Sequence, residues 1–546
     1  INIMAQHLFS MVPHADIPRS SFSRTHNVKT TFNADYLIPI YVDEVYPADT
    51  FQISMTSFAR LATQVVAPMD NAYLTLQAWF VPNRLVWEHW NRFLGEQPNP
   101  GDSTDFVIPQ IVAPSGGFKI HSVFDYLGWP VFTAGWSASA LVPRGINLIW
   151  NEWYRDENLQ PRVAQNIGDG PDNYTDYPLL KRGKRHDYFT SALPWPQKGP
   201  GVELPLGTTA PVRGTIYSDT VLGASNSNVA ANWHTNSAAT DSYLVAGTSP
   251  TGVGIAPSAN VTDSLYADLS QATAATINSL RQAFAVQRLF ERDARGGTRV
   301  REIIQAHFNT TVPDARLQRP EFLGSAESMV SMSPIIQTSS TDSTSPQGNI
   351  AGIGIVHSNF NISKSFVEHG HIIVLMSVRT DLSYQQGLNR MYSRKTKFDY
   401  YWPSLAFLGE QEIRMKEILC QDNTVLSADG ITPTNEITFG YQERWAELRY
   451  YPNLITGQFR TNSKDSNGNA NSLDVWHYAQ WFEPASGEEG KGIPLNAQFI
   501  ESNSPIKRAQ AITDDEYPDF LFDGFIQVKA VRPLPLYSVP GLMDHF

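Results

Sequence analysis

The chain reads as an all-β protein, one β-domain interrupted by long loop and helical insertions. Three features point there. Strand-like segments lie at both ends of the chain, with helical and loop-rich stretches between them. Gly and Pro, 36 of each in 546 residues, punctuate it throughout. Aromatics reach 12% while charged residues fall to 17%, against roughly 25% in ordinary soluble domains. Few charges with many aromatics suit a subunit that buries much of its surface against neighbours.

Residues 1–31 carry Pro13, Pro18, Ser20, Ser21 and Ser23 beside Arg19, Arg24 and Lys29. This is a mildly basic, extended N-terminal arm, too polar to form its own core. Strands follow at 36–45, 50–61 and 72–81, where β-branched and aromatic residues are bounded by turns at 47–49 and 68–71. Pro39 lacks an N–H to donate and predicts an edge or a bulge. The period then changes. Val86, Trp90, Phe93 and Leu94 make a helical face ending at Gly95, and Ile146, Ile149, Trp150 and Trp153 make another. Residues 96–120 and 157–200 read as loops.

Segment 202–262 holds four formal charges, Glu203, Arg213, Asp219 and Asp241, among Ser, Thr, Asn, Gly and Ala. It reads as an inserted surface element. Helices are expected at 276–292 and 299–308, broken by Gly296-Gly297, and a low-complexity loop at 325–350. Strands resume at 350–357, 360–367, 370–380, 398–401, 436–450 and 524–537. A Ser/Asn/Gly-rich spacer fills 461–492. No 20–50-residue repeat is visible, which argues against solenoids and propellers.

Cys420 is the single cysteine, so neither an intrachain disulfide nor a Cys-rich zinc module is available. No apolar run approaches the ~18–20 residues that span a bilayer. His7, His14, Asp16, Arg19 and Arg24 interrupt the start too early for a secretory signal. A soluble protein of a reducing compartment is the plain expectation.

Chemistry-bearing patterns are weak. His369 and His371 lie two apart, so on a strand both face one side and could reach one metal ion, as in cupin enzymes. The following Ile372-Ile373-Val374-Leu375-Met376 supplies no carboxylate, and two turn-proximal histidines are the simpler reading. The run Lys181-Arg182-Gly183-Lys184-Arg185-His186 could hold a phosphate backbone, with Tyr188 and Phe189 stacking on bases. A solvated loop or a contact with an acidic neighbour is the alternative. Glu443 and Glu447 would share a strand face as a glycosidase pair does, but ion pairs with Arg444 or Arg449 explain them more simply. The Gly-Lys at 490–491 lacks the Ser/Thr and flanking elements of a phosphate loop.

Whole segments, however, match a known family. HLFSMVPHADIPRSSFSRTHNVKTTFNADYLIPIYVDEVYPADTF (7–51) closely resembles the opening of the major capsid protein of gokushoviruses, small tail-less single-stranded DNA phages of the Microviridae. So do AWFVPNRLVWEHWNRFLGE (78–96), DYFTSALPWPQKGP (187–200), ERDARGGTRVREIIQAHF (291–308), DARLQRPEFLG (314–324) and FIQVKAVRPLP (525–535). The departures are 202–262 and part of 325–350. The resemblance implies an eight-stranded antiparallel jelly-roll of viral capsid type, assembled as a T=1 icosahedral shell around a circular single-stranded DNA genome. It implies a non-enzymatic virion protein without cofactors, assembled in the host bacterial cytoplasm. Its implied partners are further copies of itself, an internal scaffolding protein, minor pilot and DNA-binding virion proteins, and a bacterial cell-surface receptor.

On this reading the N-terminal arm is 1–31, the jelly-roll core 32–201 with 263–546, and the variable surface insertion 202–262. The insertion is implied to project at the three-fold axes for host attachment. Trp233 and His234, alone among small polar residues, are the expected tip contact; packing in the insertion's own small core or against its three-fold neighbours is the other role open to Trp233. Arg19, Arg24 and Lys29 are the expected DNA contacts. No metal ligand is expected. The competing function class is a jelly-roll metal-dependent enzyme, through His369 and His371, or a carbohydrate-binding module.

Overall fold

The computed structural model describes residues 18–202, 212–213, 266–267, 277–338, 347–484, 486–514 and 517–537. Its contacts divide the chain into two units, Ile1–Pro196 with Asp293–Phe546, and Gln197–Arg292.

Two antiparallel sheets carry the first unit. Ten strands build them: β1 (Ser20–Ser23), β2 (His26–Phe32), β3 (Ile38–Val45), β4 (Thr50–Leu61), β5 (Ala72–Pro82), β6 (Glu321–Met329), β7 (Ser331–Ile336), β8 (Ile350–Ser365), β9 (Gly370–Thr380) and β10 (Phe520–Arg532). The six-stranded sheet runs β1-β10-β4-β8-β7, with β2 also paired to β10, and the four-stranded sheet runs β6-β5-β9-β3. Long insertions leave between β5 and β6 and between β9 and β10.

Period-two alternation decides what each face does. On β5 and β9 the even residues Leu74, Leu76, Ile372 and Val374 enter the core between the sheets, where Phe32, Phe51, Ile53, Phe520 and Ile526 of the other sheet meet them. The odd residues Trp79, Val81, Ile373 and Leu375 enter a second core with Trp87, Phe124, Ile146 and Trp150, supplied by the β5–β6 insertion. The four-stranded sheet is therefore buried on both faces, and β9 reads as a nearly continuous apolar run. The six-stranded sheet differs. Along β4 and β10, buried residues alternate with exposed ones, and among the described residues nothing covers its outer face.

Pro39 behaves as expected on both counts: β3 is an edge strand, and its register with β9 shifts between Val374 and Leu375, opposite Tyr41 and Pro39. Gly370 sits between β3 and β5, where a Cβ would lie 2.4 Å from the Val81 carbonyl oxygen. No larger residue fits there.

Helix α1 (Leu141–Ile149) lies in the second core and continues as a π-turn through Trp150–Tyr154. Arg144 is inserted there at 1% exposure. Its guanidinium donates twice to Asp172, at 2.7 Å each, and to the carbonyls of Val86 and Gly168. Burial pushes the Asp172 carboxyl up, but hydrogen bonds from Arg144 and Tyr177 outweigh it and hold the group below its usual range. A third core gathers Tyr188, Phe189 and Ala192 with Tyr384, Ile413, Met415, Ile418, Phe439 and Phe499. Helix α2 (Ile277–Gly296) falls mostly in the second unit, where Lys198 N–H donates to the Phe290 carbonyl at 3.3 Å. Helix α3 (Val300–Phe308) is capped by the Glu302 carboxylate on Arg299 N–H at 3.1 Å. Among the described residues no helix is long and apolar enough to cross a membrane.

Several expectations need correction. The presumed arm contains β1 and β2, paired along β10. The presumed loop at 325–350 contains most of β6 and all of β7, and 350–365 is one strand instead of two. Residues 397–399 form a 3₁₀ turn where a strand was expected over 398–401, and 436–450 keeps strand only at Thr438–Glu443. The expected insertion 202–262 lies almost wholly outside the described residues.

Asp172→Asn leaves the buried Arg144 charge without its counter-ion. Its expected cost is about 3–5 kcal/mol of stability, read as a lower urea midpoint by tryptophan fluorescence.

Candidate assembly and nucleic-acid surfaces

The most exposed aromatic surface of the described chain lies at 391–408 and 448–454. Phe407 is 99% exposed, Tyr392 70% and Tyr451 68%, and Phe398, Tyr400, Trp402 and Tyr450 are each at least half exposed. Isolated exposed apolar residues are ordinary; a run of this kind marks a contact surface.

The segment is held firmly from beneath. Arg390 donates to Glu417 at 2.9 Å and to the Glu412 carbonyl at 2.6 Å, and Arg394 pairs with Glu447 at 3.3 Å. Glu417 also accepts from Tyr188 Oη at 3.0 Å, and Glu447 from Gln411 at 2.6 Å. Burial pushes the Glu417 carboxyl up, and Arg390 opposes it. Trp445, itself buried, donates from its indole to the Leu405 carbonyl at 3.0 Å and packs edge-on against Tyr401. These anchors tie the backbone of the segment to the third core, which lowers the entropic cost of ordering the loop on association.

The sequence-predicted site residues are scattered. Arg19 donates to the Ala48 carbonyl at 2.5 Å. Arg24 pairs with Asp43 at 2.5 Å, and Asp43 also accepts from Tyr41 Oη. Lys29 lies on the bare sheet face and pairs with Asp523 at 3.2 Å, both well exposed. The structure does not bring the three cations together into one patch. Trp233 and His234 lie outside the described residues.

His369 and His371 line one cavity of about 620 Å³ together with Glu44, Asn83 and Trp90. His371 is buried, and burial lowers its pKa; His369 packs edge-on between Tyr46 and Trp90. Glu368 is taken by Arg84 at 2.6 Å. Among the described residues no three His, Cys, Asp or Glu side chains converge as a metal site. Glu443 pairs with Arg295 at 2.7 Å and with Arg449, while Glu447 lies on a separate 3₁₀ turn.

The basic run 181–186 is neither a solvated loop nor an open phosphate surface. It straps the outer face of the four-stranded sheet. Arg182 is bonded to Ser377 Oγ at 3.0 Å, Arg185 stacks on Tyr73 and pairs with Glu327 at 3.2 Å, and Lys184 sits 4.2 Å above the Phe499 ring. Tyr188 and Phe189 are buried in the third core and are unavailable for stacking on bases. Burial lowers the Lys184 pKa to about 8.

Residues 10–542 match the family described as capsid protein (F protein). The chain belongs to the phage capsid (F protein) family. It is 44% identical to capsid protein VP1 of Bdellovibrio phage phiMH2K, over 99% of this chain and 98% of that one. With capsid protein VP1 of Chlamydia phage 1 it shares 42% identity over 98% and 97% of the two chains. With that of Spiroplasma virus 4 it shares 35% over 98% and 97%. The match to Microviridae-type capsid proteins seen in segments 7–51 through 525–535 thus extends over nearly the whole chain. Members of this family are structural, non-enzymatic proteins of the virion, and the presented aromatic segment is read in that light: a capsid subunit needs surfaces that only its neighbours cover.

Between about pH 8 and the ordinary lysine pKa near 10.4, the folded chain binds fewer protons at Lys184 than the unfolded chain, so stability rises with pH across that window. Lys184→Met removes this rise and, at pH 7, adds on the order of 1–3 kcal/mol. Melts of both proteins at pH 7 and pH 9.5 check it; an unchanged pH increment in the variant contradicts it.

Proposed function

We propose that this chain is the subunit of a T=1 icosahedral shell enclosing a circular single-stranded DNA genome. The observation that carries the assembly half is the aromatic segment 391–408, anchored from beneath by ion pairs and exposed in the single chain. Burying a ring such as Phe407 against a neighbour contributes roughly 1.5–3 kcal/mol. Repeated around a closed shell, that is enough to bias assembly.

The architecture is best read as an eight-stranded jelly-roll formed by β2–β6 and β8–β10, with β1 and β7 as additions. Numbered one to eight along the chain, these strands run 1-8-3-6 in one sheet and 2-7-4-5 in the other. That order supports two nested Greek keys. The proposed division is a core at 32–201 and 263–546, a segment 1–31 that adds β1 and most of core strand β2 to it, and a variable insertion at 202–262. The insertion projects at the three-fold axes for attachment to a bacterial receptor, with Trp233 and His234 at its tip.

Enclosing DNA with a chain of net charge −12 poses a constraint. The shell cannot neutralise phosphates in bulk, so solvent cations or a small basic virion partner supplies most of the counter-charge. Arg19, Arg24 and Lys29 add local contacts. An internal scaffolding protein and minor pilot and DNA-binding proteins complete assembly in the host cytoplasm. Alternative enzymatic chemistry at His369 and His371 draws no support from the site's geometry.

Phe407→Asp with Trp402→Ala is expected to leave a soluble, folded subunit and to cut particle yield at least tenfold, scored by sedimentation and negative-stain microscopy. Normal yields of uniform particles from the double variant would remove this segment from the assembly contacts.

A further inference from the structure

We infer that the bare outer face of the six-stranded sheet is a binding platform for single-stranded nucleic acid. The inference rests on the proposed enclosure of DNA and names the surface that meets it. Strand register arranges this face in ranks. Lys29, Asp523, Phe58 and His357 stand in one rank, and Asn27, Phe525, Thr56 and Asn359 in the next. Phe58 and Phe525 are therefore diagonal neighbours on adjacent strands, within reach of one another, and are 43% and 42% exposed.

Two exposed rings side by side on a sheet offer stacking surfaces for successive bases, and stacking tolerates any base identity. Beyond them the face dips into a trough of about 610 Å³ lined by Ser23, Gln52, Ser54, Asn361, Gln527 and Lys529. Its hydroxyls and amides are suited to phosphate oxygens and base edges, and its one charged group is a cation. Lys29, Arg60 and Lys529 against Asp523 give the face a positive balance on a chain that is acidic overall.

A second protein copy fits less well. Ser and Lys are depleted at the dry centres of protein interfaces, where aromatics, Met and Arg dominate. That composition describes segment 391–408, not this face. The two surfaces thus differ in the partner their chemistry recognises.

Ultraviolet crosslinking of purified particles, followed by mass spectrometry of the adducted peptides, tests the assignment. Nucleotide adducts on the β4 and β10 peptides carrying Phe58 and Phe525 are expected. Particles of the double variant Phe58→Ser, Phe525→Ser are expected to lose those adducts and to retain at least threefold less nuclease-resistant DNA. Wild-type particles that hold DNA but crosslink only elsewhere would overturn the platform and leave enclosure standing. Particles with no nuclease-resistant single-stranded DNA would overturn enclosure itself. If the double variant fails to assemble, the wild-type adduct map alone decides. Peptide–peptide crosslinks from this face to another copy, without nucleotide adducts, would assign it to an interface and sink the proposal.

Discussion

Burial of both faces of the four-stranded sheet is the constraint on which the remaining architecture depends. Even-numbered residues of β5 and β9 seal the core against the six-stranded sheet, and odd-numbered ones demand a second apolar layer. A chain that kept β5 and β6 in a short hairpin would leave Trp79, Val81, Ile373 and Leu375 in water. The β5–β6 insertion supplies Trp87, Phe124, Ile146 and Trp150 to cover them. The cover in turn needs its own polar anchor, which Arg144 provides by tying α1 to Asp172 and to two loop carbonyls. The other sheet receives no such cover from the described residues, and its outer face is left as a surface with composition of its own.

Several cations in this acidic chain are turned inward. Arg144, Arg182, Lys184 and Arg390 sit in or beside cores, each fixed by a carboxylate, a hydroxyl or an aromatic ring. Replacing such groups by apolar ones of similar size is often neutral or stabilising, so their value lies in fixing where insertions join the sheets. Lys184 shows the cost directly in its lowered pKa. The cations of the exposed sheet face, Lys29, Arg60 and Lys529, are by contrast open to solvent.

Much of this was legible in the sequence, but unevenly. The strands β3, β4, β5 and β9 were readable because β-branched and aromatic residues filled them between clear turns. β2 was not, since HNVKTTF holds a single buried residue, Phe32, and otherwise looks like a polar arm. β6 and β7 were hidden by Ser, Gly and Ala, residues that pair by backbone while signalling loop. The aromatic run near 400 suggested a strand, yet those rings are exposed on turns; Pro403 directly after Tyr400-Tyr401-Trp402 was the available warning. The basic run 181–186 could not be assigned from its neighbours, because the rings and hydroxyl that hold it, Phe499, Tyr73 and Ser377, are remote in sequence. The ion pair of Arg24 was hidden for the same reason: its partner Asp43 belongs to a strand of the opposite sheet. The family itself was readable from the long matching segments, which carry more information than any single motif here.

The most direct test of this account is a cryo-electron-microscopy reconstruction of the assembled particle at side-chain resolution. The account predicts the bare face of the six-stranded sheet turned to the interior, with residues 391–408 packed between subunits. A shell with that face directed outward and Phe407 in solvent would contradict it.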